Sequence, residues 1–227
     1  MPAKKDTPVK KELPARNAIA KDMPMNVYVL LDRTGSMASI WAETLSSVNA
    51  YVEKLAADTL AARVTLAMFD SHGGTQFDII RNGVDVKAWS PVTEQEASPR
   101  GYTPLYDAIG RLMGLAAADA SNKATVIVVT DGHENASREV TREGAKAMLD
   151  KARARGWDVV FLGANFDAFD QAASVGTQAA HTLNIQPGAM RAAMAEAVAP
   201  RTRAYAESAA QPVAFNDEDR RTAAPRR

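Results

Sequence analysis

Three short blocks of the chain are almost unbroken apolar runs: VYVLL at 27–31, TVIVV at 125–129 and DVVFL at 158–162. A strand covered on one face alternates apolar and polar residues, whereas one covered on both faces reads as a continuous run. These three therefore predict buried strands over 26–32, 124–131 and 157–163. A further strand, RVTLAMFD at 63–70, precedes the turn residues SHGG, and TQFDII at 75–80 returns from that turn. So short a connection makes the pair a hairpin, hence antiparallel. AHTLNI at 180–185 is a candidate last strand.

Helical spacing fills the intervals. Ile40, Leu45, Val48, Val52 and Leu55 place one apolar face on a helix over 39–57. Leu105, Ile109, Leu112 and Leu115 do the same after Thr103, a natural N-cap, and Pro104, suited to a first helical position. The segment 132–156 opens as a loop, becomes a helix and closes at Gly156. Residues 165–176 form a short helix, and 188–210 an Ala-rich one beyond Pro187. Between 81 and 102 lies a long irregular stretch with Pro91, Pro99 and Gly101. Loops of that length in a compact domain often carry function.

Strands alternating with helices predict an α/β fold: a doubly wound, mostly parallel sheet with one antiparallel edge strand, in three α/β/α layers. The expected domain spans 24–186. Residues 1–23 are read as a flexible arm, and 187–227 as a helical, then disordered, tail. The arm carries six basic against three acidic side chains, and residues 200–227 carry six against four, although the net charge of the chain is zero. Such basic ends can touch nucleic acid, but solvated termini are the plainer reading. There is no cysteine, so disulfide and thiolate chemistry are absent. No stretch reaches the roughly 18 uncharged apolar residues of a membrane span, and the N-terminus lacks a signal-peptide core. A cytoplasmic protein is expected.

The candidate chemistry sits at strand ends. The first strand stops at Asp32 and is followed by Thr34 and Ser36. An acid and two hydroxyls at alternate positions can aim oxygens into one small volume, as a hard cation such as Mg2+ requires. Asp70 and Asp131 end two further strands. In open α/β sheets the ligand crevice lies outside the carboxyl ends of the strands. Parallel orientation gathers all three acids there. Each residue also has an ordinary role open to it. Asp32 can cap a helix, Thr103 can serve only as N-cap, and Asp131-Gly132 can be a simple turn.

With these residues in view, the segments VLLDRTGSM, GYTPLYDAI and VVTDGHEN resemble the von Willebrand factor A domain and its metal-ion-dependent adhesion site. The DRTGSM form is similar to bacterial or phage versions inside cells. The family pattern is Asp-x-Ser-x-Ser, a later Thr and an Asp after the fourth strand. The resemblance places it on Asp32, Thr34, Ser36, Thr103 and Asp131, with Thr34 replacing a Ser and keeping the hydroxyl. It implies a six-stranded sheet of order 3-2-1-4-5-6. It also implies a Mg2+ ion, with Mn2+ as second candidate, bound by the hydroxyls while the aspartates act largely through water. Zn2+ is disfavoured, because every ligand is oxygen. The family's usual partner is a protein presenting an Asp or Glu carboxylate to the cation.

His133, Glu134 and Asn135 follow Asp131 and are expected on the rim of this site, as partner contacts or as solvated loop. Asp70 is a candidate partner to the site's water or to Ser36. Tyr102 and Trp89, in or beside the long loop, are candidate aromatic anchors. Trp41 is expected in the core, and His72 at the surface. Two other functions compete. A metal-dependent phosphatase or phosphotransferase using an aspartyl nucleophile would need a second acid where Thr34 stands. No P-loop motif or Ser-His-Asp arrangement is present. A phage or nucleic-acid-associated structural role rests on the basic ends alone. The leading expectation is a non-enzymatic, metal-dependent protein-interaction module.

Overall fold

The computed structural model describes residues 24–119, 123–164, 168–208 and 211–225. The expected N-terminal arm, 1–23, lies outside the described residues.

Six strands form one sheet in the order β3-β2-β1-β4-β5-β6. They are β1 (Met25–Asp32), β2 (Ala62–Ser71), β3 (Thr75–Asp85), β4 (Ala124–Thr130), β5 (Asp158–Ala164) and β6 (Thr182–Ile185). β1 runs parallel to both β2 and β4, β4 to β5, and β5 to β6. Only β3 is antiparallel, paired with β2 as the short SHGG turn requires. β1 and β4 lie side by side at the centre, so their ends at Asp32 and Thr130 flank one crevice.

The side-chain period of two divides β1 between two cores. Val27, Val29 and Leu31 point into the layer holding α1 (Trp41–Ala57). Tyr28 and Leu30 point into the layer holding α2 (Leu105–Ala117) and α3 (Arg142–Ala154). Burying a side chain such as Leu30 stabilises the fold by about 1.5–3 kcal/mol. Covering both faces is why the run reads as unbroken apolar sequence. In the second layer Tyr28 stacks on Trp157 at 5.9 Å between ring centroids. Trp41 lies in the first core, as expected.

β3 runs to Asp85, five residues past the predicted end. It is an edge strand with most residues partly or fully exposed, and its pairing slips between Val64 and Ala67. Those features remove the alternation that would have marked it. A 3-10 turn, Gly35–Ile40, precedes α1, so that helix starts two residues later than expected.

The described residues beyond 186, namely 187–208 and 211–225, are part of this frame, where a helical and then disordered tail was expected. A continuous helical run, α5, comprises Met190–Ala192, a π-helical stretch Ala193–Val198, and Ala199–Glu207. Pro200 sits in this run and offers no N–H to the preceding turn. Met190, Met194, Val198 and Tyr205 are buried against α1 and the sheet. Tyr51 and Thr202 hydroxyls bond at 3.0 Å. α4 (Phe169–Ser174) and α6 (Asp217–Ala223) complete the fold. Asn216 caps α6 through a reciprocal bond with Asp219, and Phe215 and Ala223 enter the core. The tail looked frayed because it is polar and Pro-containing. What holds it is contact with distant residues, including the bond from Gln186 N to Ala223 O.

Candidate metal centre

β1 delivers Asp32 to the sheet's C-terminal edge with its carboxylate fully buried. One carboxylate oxygen accepts the Thr34 amide at 2.7 Å, and the other accepts the Thr130 hydroxyl at 2.6 Å. The first bond curls the chain after β1 into the 3-10 turn. That curl brings Thr34 Oγ1 and Ser36 Oγ to 3.2 Å from one another. Ser36 Oγ donates to Asp131 Oδ1 at 2.7 Å. Thr103 Oγ1, sixty-nine residues along the chain from Thr34, lies 3.5 Å from Thr34 Oγ1. The structure therefore brings Asp32, Thr34, Ser36, Thr103 and Asp131 into one oxygen cluster. Thr34 and Thr103 are buried and Ser36 is exposed, so the cluster opens outward on one side.

Thr103 does not cap α2. The N-cap position is Pro104, which makes no side-chain cap bond. The orphan amides of the first turn are satisfied from the loop after β4 instead. Glu134 Oε2 accepts Tyr106 N at 3.0 Å, and Ser137 Oγ accepts Asp107 N at 3.1 Å. Asp107 returns the favour by accepting the amides of Arg138, Glu139 and Val140. This exchange leaves the Thr103 hydroxyl free to face the site. Asn135 grips the same residue from both sides: its Oδ1 accepts Thr103 N and its amide donates to Thr103 O. Gly132 borders the cluster, and a Cβ added to it would make ordinary contact with Thr103 Oγ1 at 3.9 Å and Ser36 Oγ at 4.0 Å.

The expected rim divides. Tyr102, 69% exposed, and His133, also exposed, stand at the surface next to Thr103 and Asp131 in the chain. Glu134 is committed to its own loop, accepting Ala136 N, Ser137 N and the Ser137 hydroxyl besides Tyr106 N. Asn135 is exposed, but its oxygen is taken by Thr103. Asp70 is neither a rim contact nor a partner of Ser36. It is fully buried and bonded to Arg33 and Arg100. Trp89 is partly buried, its indole N–H on Asn49 and its ring under Arg81. Thr130 escaped the sequence reading. Its only signal is its place in VVTD, directly before Asp131.

Burial pushes the Asp32 carboxyl up to about 6, against the bonds from Thr130 and Thr34 that favour its charge. Asp131 is raised as well, again chiefly by burial. Two acids short of compensating charge beside three hydroxyls suit a divalent cation, which would favour both carboxylates. Metal–oxygen bonds of about 2.0–2.1 Å at right angles set neighbouring ligand oxygens roughly 3 Å apart. The hydroxyl spacings of 3.2 and 3.5 Å are close to that. The donor set therefore fits Mg2+ or Mn2+. Among the described residues, no group of three or more His, Cys, Asp or Glu side chains converges to hold a metal ion.

A family model described as von Willebrand factor type A domain matches residues 26–192. No curated protein matches the chain by sequence. Among solved structures, the vWF domain of the type V pili tip protein Mfa5 from Porphyromonas gingivalis superposes with a TM-score of 0.64 at 12% identity. That match covers 82% of this chain and 97% of that one. The manganese-loaded TRAP protein of Plasmodium vivax gives 0.56 at 18% identity, covering 74% and 71%. Proximal thread matrix protein 1 from the mussel byssus gives 0.56 at 14%; this chain matches 48% of that protein's length.

Proposed function

We propose that this chain, which belongs to the von Willebrand factor type A domain family, is a non-enzymatic protein-binding module working through a divalent cation. Thr34, Ser36 and Thr103 would hold the cation by their hydroxyls, with Asp32 and Asp131 behind them. Mg2+ is the favoured ion and Mn2+ the alternative, the latter in keeping with the manganese-loaded Plasmodium vivax structure. The cation supplies a strongly electrophilic surface for an anionic oxygen. The partner is a protein that offers an Asp or Glu carboxylate.

One observation carries this reading. Three hydroxyls from two loops far apart in sequence meet within 3.2 to 3.5 Å at the sheet's C-terminal edge, with both acids hydrogen-bonded around them. Hydroxyl ligands carry no formal charge, so a cation held by them keeps its appetite for an outside carboxylate. Ser36 is exposed, which leaves the open face toward solvent. Exposed Tyr102, next to Thr103 in the chain, suits a partner contact. The same arrangement disfavours hydrolysis by an aspartyl nucleophile, since Thr34 replaces the acid such chemistry needs two residues after Asp32.

Calorimetric titration with Mg2+ tests the site. The wild type is expected to bind one ion, and Ser36→Ala to bind none while melting as the wild type does. Equal titrations for the two proteins would refute the assignment. A partner captured in Mg2+ is expected to be released by EDTA; one that stays bound would show that the cation is not the interface.

A further inference from the structure

We infer that buried Asp70 and Arg33, together with the exposed Arg100, form a clamp that sets the two hydroxyl-bearing loops at cation-binding distance. Asp70 is thus a positioning residue for the metal, although it touches none of the five proposed ligands. This inference rests on the metal-binding reading above.

Asp70 is a carboxylate with no exposure to solvent, and a buried charge persists only when paired and hydrogen-bonded. Its pairing is heavier than that need alone demands. Arg33 presents Nε at 2.8 Å and a terminal nitrogen at 2.6 Å, and Arg100 Nε lies 3.3 Å from both oxygens. The Arg33 guanidinium also reaches Asp78 on β3 at 2.6 Å and is itself buried.

These two arginines are tied through their backbones as well. Arg33 stands between Asp32 and Thr34, so its side chain points away from the oxygen cluster while its peptide groups belong to the loop that carries it. Arg33 N donates to Phe69 O at the end of β2, and Arg33 O accepts Arg100 N, both at 2.9 Å. Gly35 N then donates to Gly101 O at 3.2 Å. Tyr102 exchanges two backbone bonds with Ser71. Gly101 lies so close to β2 that a Cβ on it would stand 2.1 Å from Ser71 O. The segment leading into Thr103 is thus laced to the ends of β1 and β2, and Asp70 is the charge under the lacing. With the clamp intact, Thr103 Oγ1 stands 3.5 Å from Thr34 Oγ1. Without it, the loop from 89 to 103 has little regular structure of its own to hold that spacing.

The test measures Mg2+ affinity by calorimetry in the whole chain for three variants. Asp70→Asn removes the charge but keeps the shape. Arg33→Lys keeps the charge but loses the fork that spans two carboxylates. Asp158→Asn breaks a different buried arginine–carboxylate pair, with Arg201, at the far end of the sheet, and controls for lost stability. Losing an outer-shell partner of a metal site typically weakens metal binding about 10- to 100-fold. That loss is expected for both Asp70→Asn and Arg33→Lys, with faster amide exchange confined to residues 33–36 and 100–103. Asp158→Asn is expected to bind Mg2+ as the wild type does. Wild-type affinity in Arg33→Lys would overturn positioning and leave only a charge effect. Equal weakening in Asp158→Asn would overturn it in favour of general destabilisation. If Asp70→Asn fails to fold, Arg33→Lys and the exchange data decide. A wild type that binds no Mg2+ would instead refute the metal reading itself, and the inference with it.

Discussion

At the scale of single residues, hydroxyl and methyl effects can be separated at Thr34. Thr34→Val keeps the shape of a buried side chain and removes the proposed ligand. It is expected to abolish Mg2+ binding in calorimetry while changing stability by only about 1 kcal/mol. Thr34→Ser is expected to retain the ion. If valine binds Mg2+ as well as serine does, Thr34 is not a ligand. Gly101 offers a second residue-scale check. Its φ of +68° and the 2.1 Å approach to Ser71 O exclude a side chain. Gly101→Ala is expected to cost roughly 2 kcal/mol in urea unfolding. The spacing of Asp32, Thr34 and Ser36 was legible because those positions alternate along one short stretch. Thr103 reached the site only through the family resemblance, its own position leaving a capping role open. A threonine before Pro104 has the look of a helix cap, and only the arrival of Glu134 and Ser137 from another loop relieves it of that duty. Asp70 was misplaced for a similar reason. Its position at a strand end was right, but the arginines that claim it come from positions 33 and 100.

At the scale of elements, the loop after β4 caps α2, and Glu134 is its principal donor of acceptors. Glu134→Ala would leave the amides of Tyr106, Ala136 and Ser137 without their partner. A loss of about 1–3 kcal/mol is expected in thermal or urea melts, far more than for a solvated rim residue. A melt unchanged by this substitution would return Glu134 to the rim. The central strands were the most legible elements, since burial on both faces writes itself as VYVLL, TVIVV and DVVFL. β3 was legible only to Ile80. At the sheet edge one side of each residue faces water, and the slip near Leu66 breaks the period that would have extended it.

At the scale of the whole molecule, α5 and α6 close one face of the sheet. A chain ending after residue 186 would expose the core that Met190, Met194, Val198, Tyr205 and Phe215 cover. Such a chain is expected to lose its cooperative melting transition. A sharp melt near the wild-type temperature would show the C-terminal helices to be dispensable. They are anchored by Arg201, which pairs with buried Asp158, places a nitrogen 2.7 Å from His181 Nδ1 and lies over Phe215. An arginine nitrogen can only donate, so His181 Nδ1 accepts and the ring is neutral. Burial, and then the Arg201 charge, hold the His181 pKa below its ordinary 6.5. The unfolded chain therefore binds the proton more readily, and this group's contribution falls as pH drops through that value. Buried Asp32 has the opposite sign, its folded pKa being raised to about 6. The difference between wild type and His181→Gln isolates the histidine: the gap in urea midpoints is expected to shift against the wild type between pH 7 and 5. A gap independent of pH would rule out this role.

The chain by itself determined the layers, the central strands, the hairpin and the Asp32–Thr34–Ser36 stretch. Each of these depends on local periodicity or on residues within one turn of each other, and such information survives in linear order. Tertiary structure alone decided that Thr103 does not cap its helix, that Asp70 serves Arg33 and Arg100, and that the described residues beyond 186 pack on the core. In those cases a polar or weakly patterned group has several partners of similar strength, and burial beside a distant segment selects one.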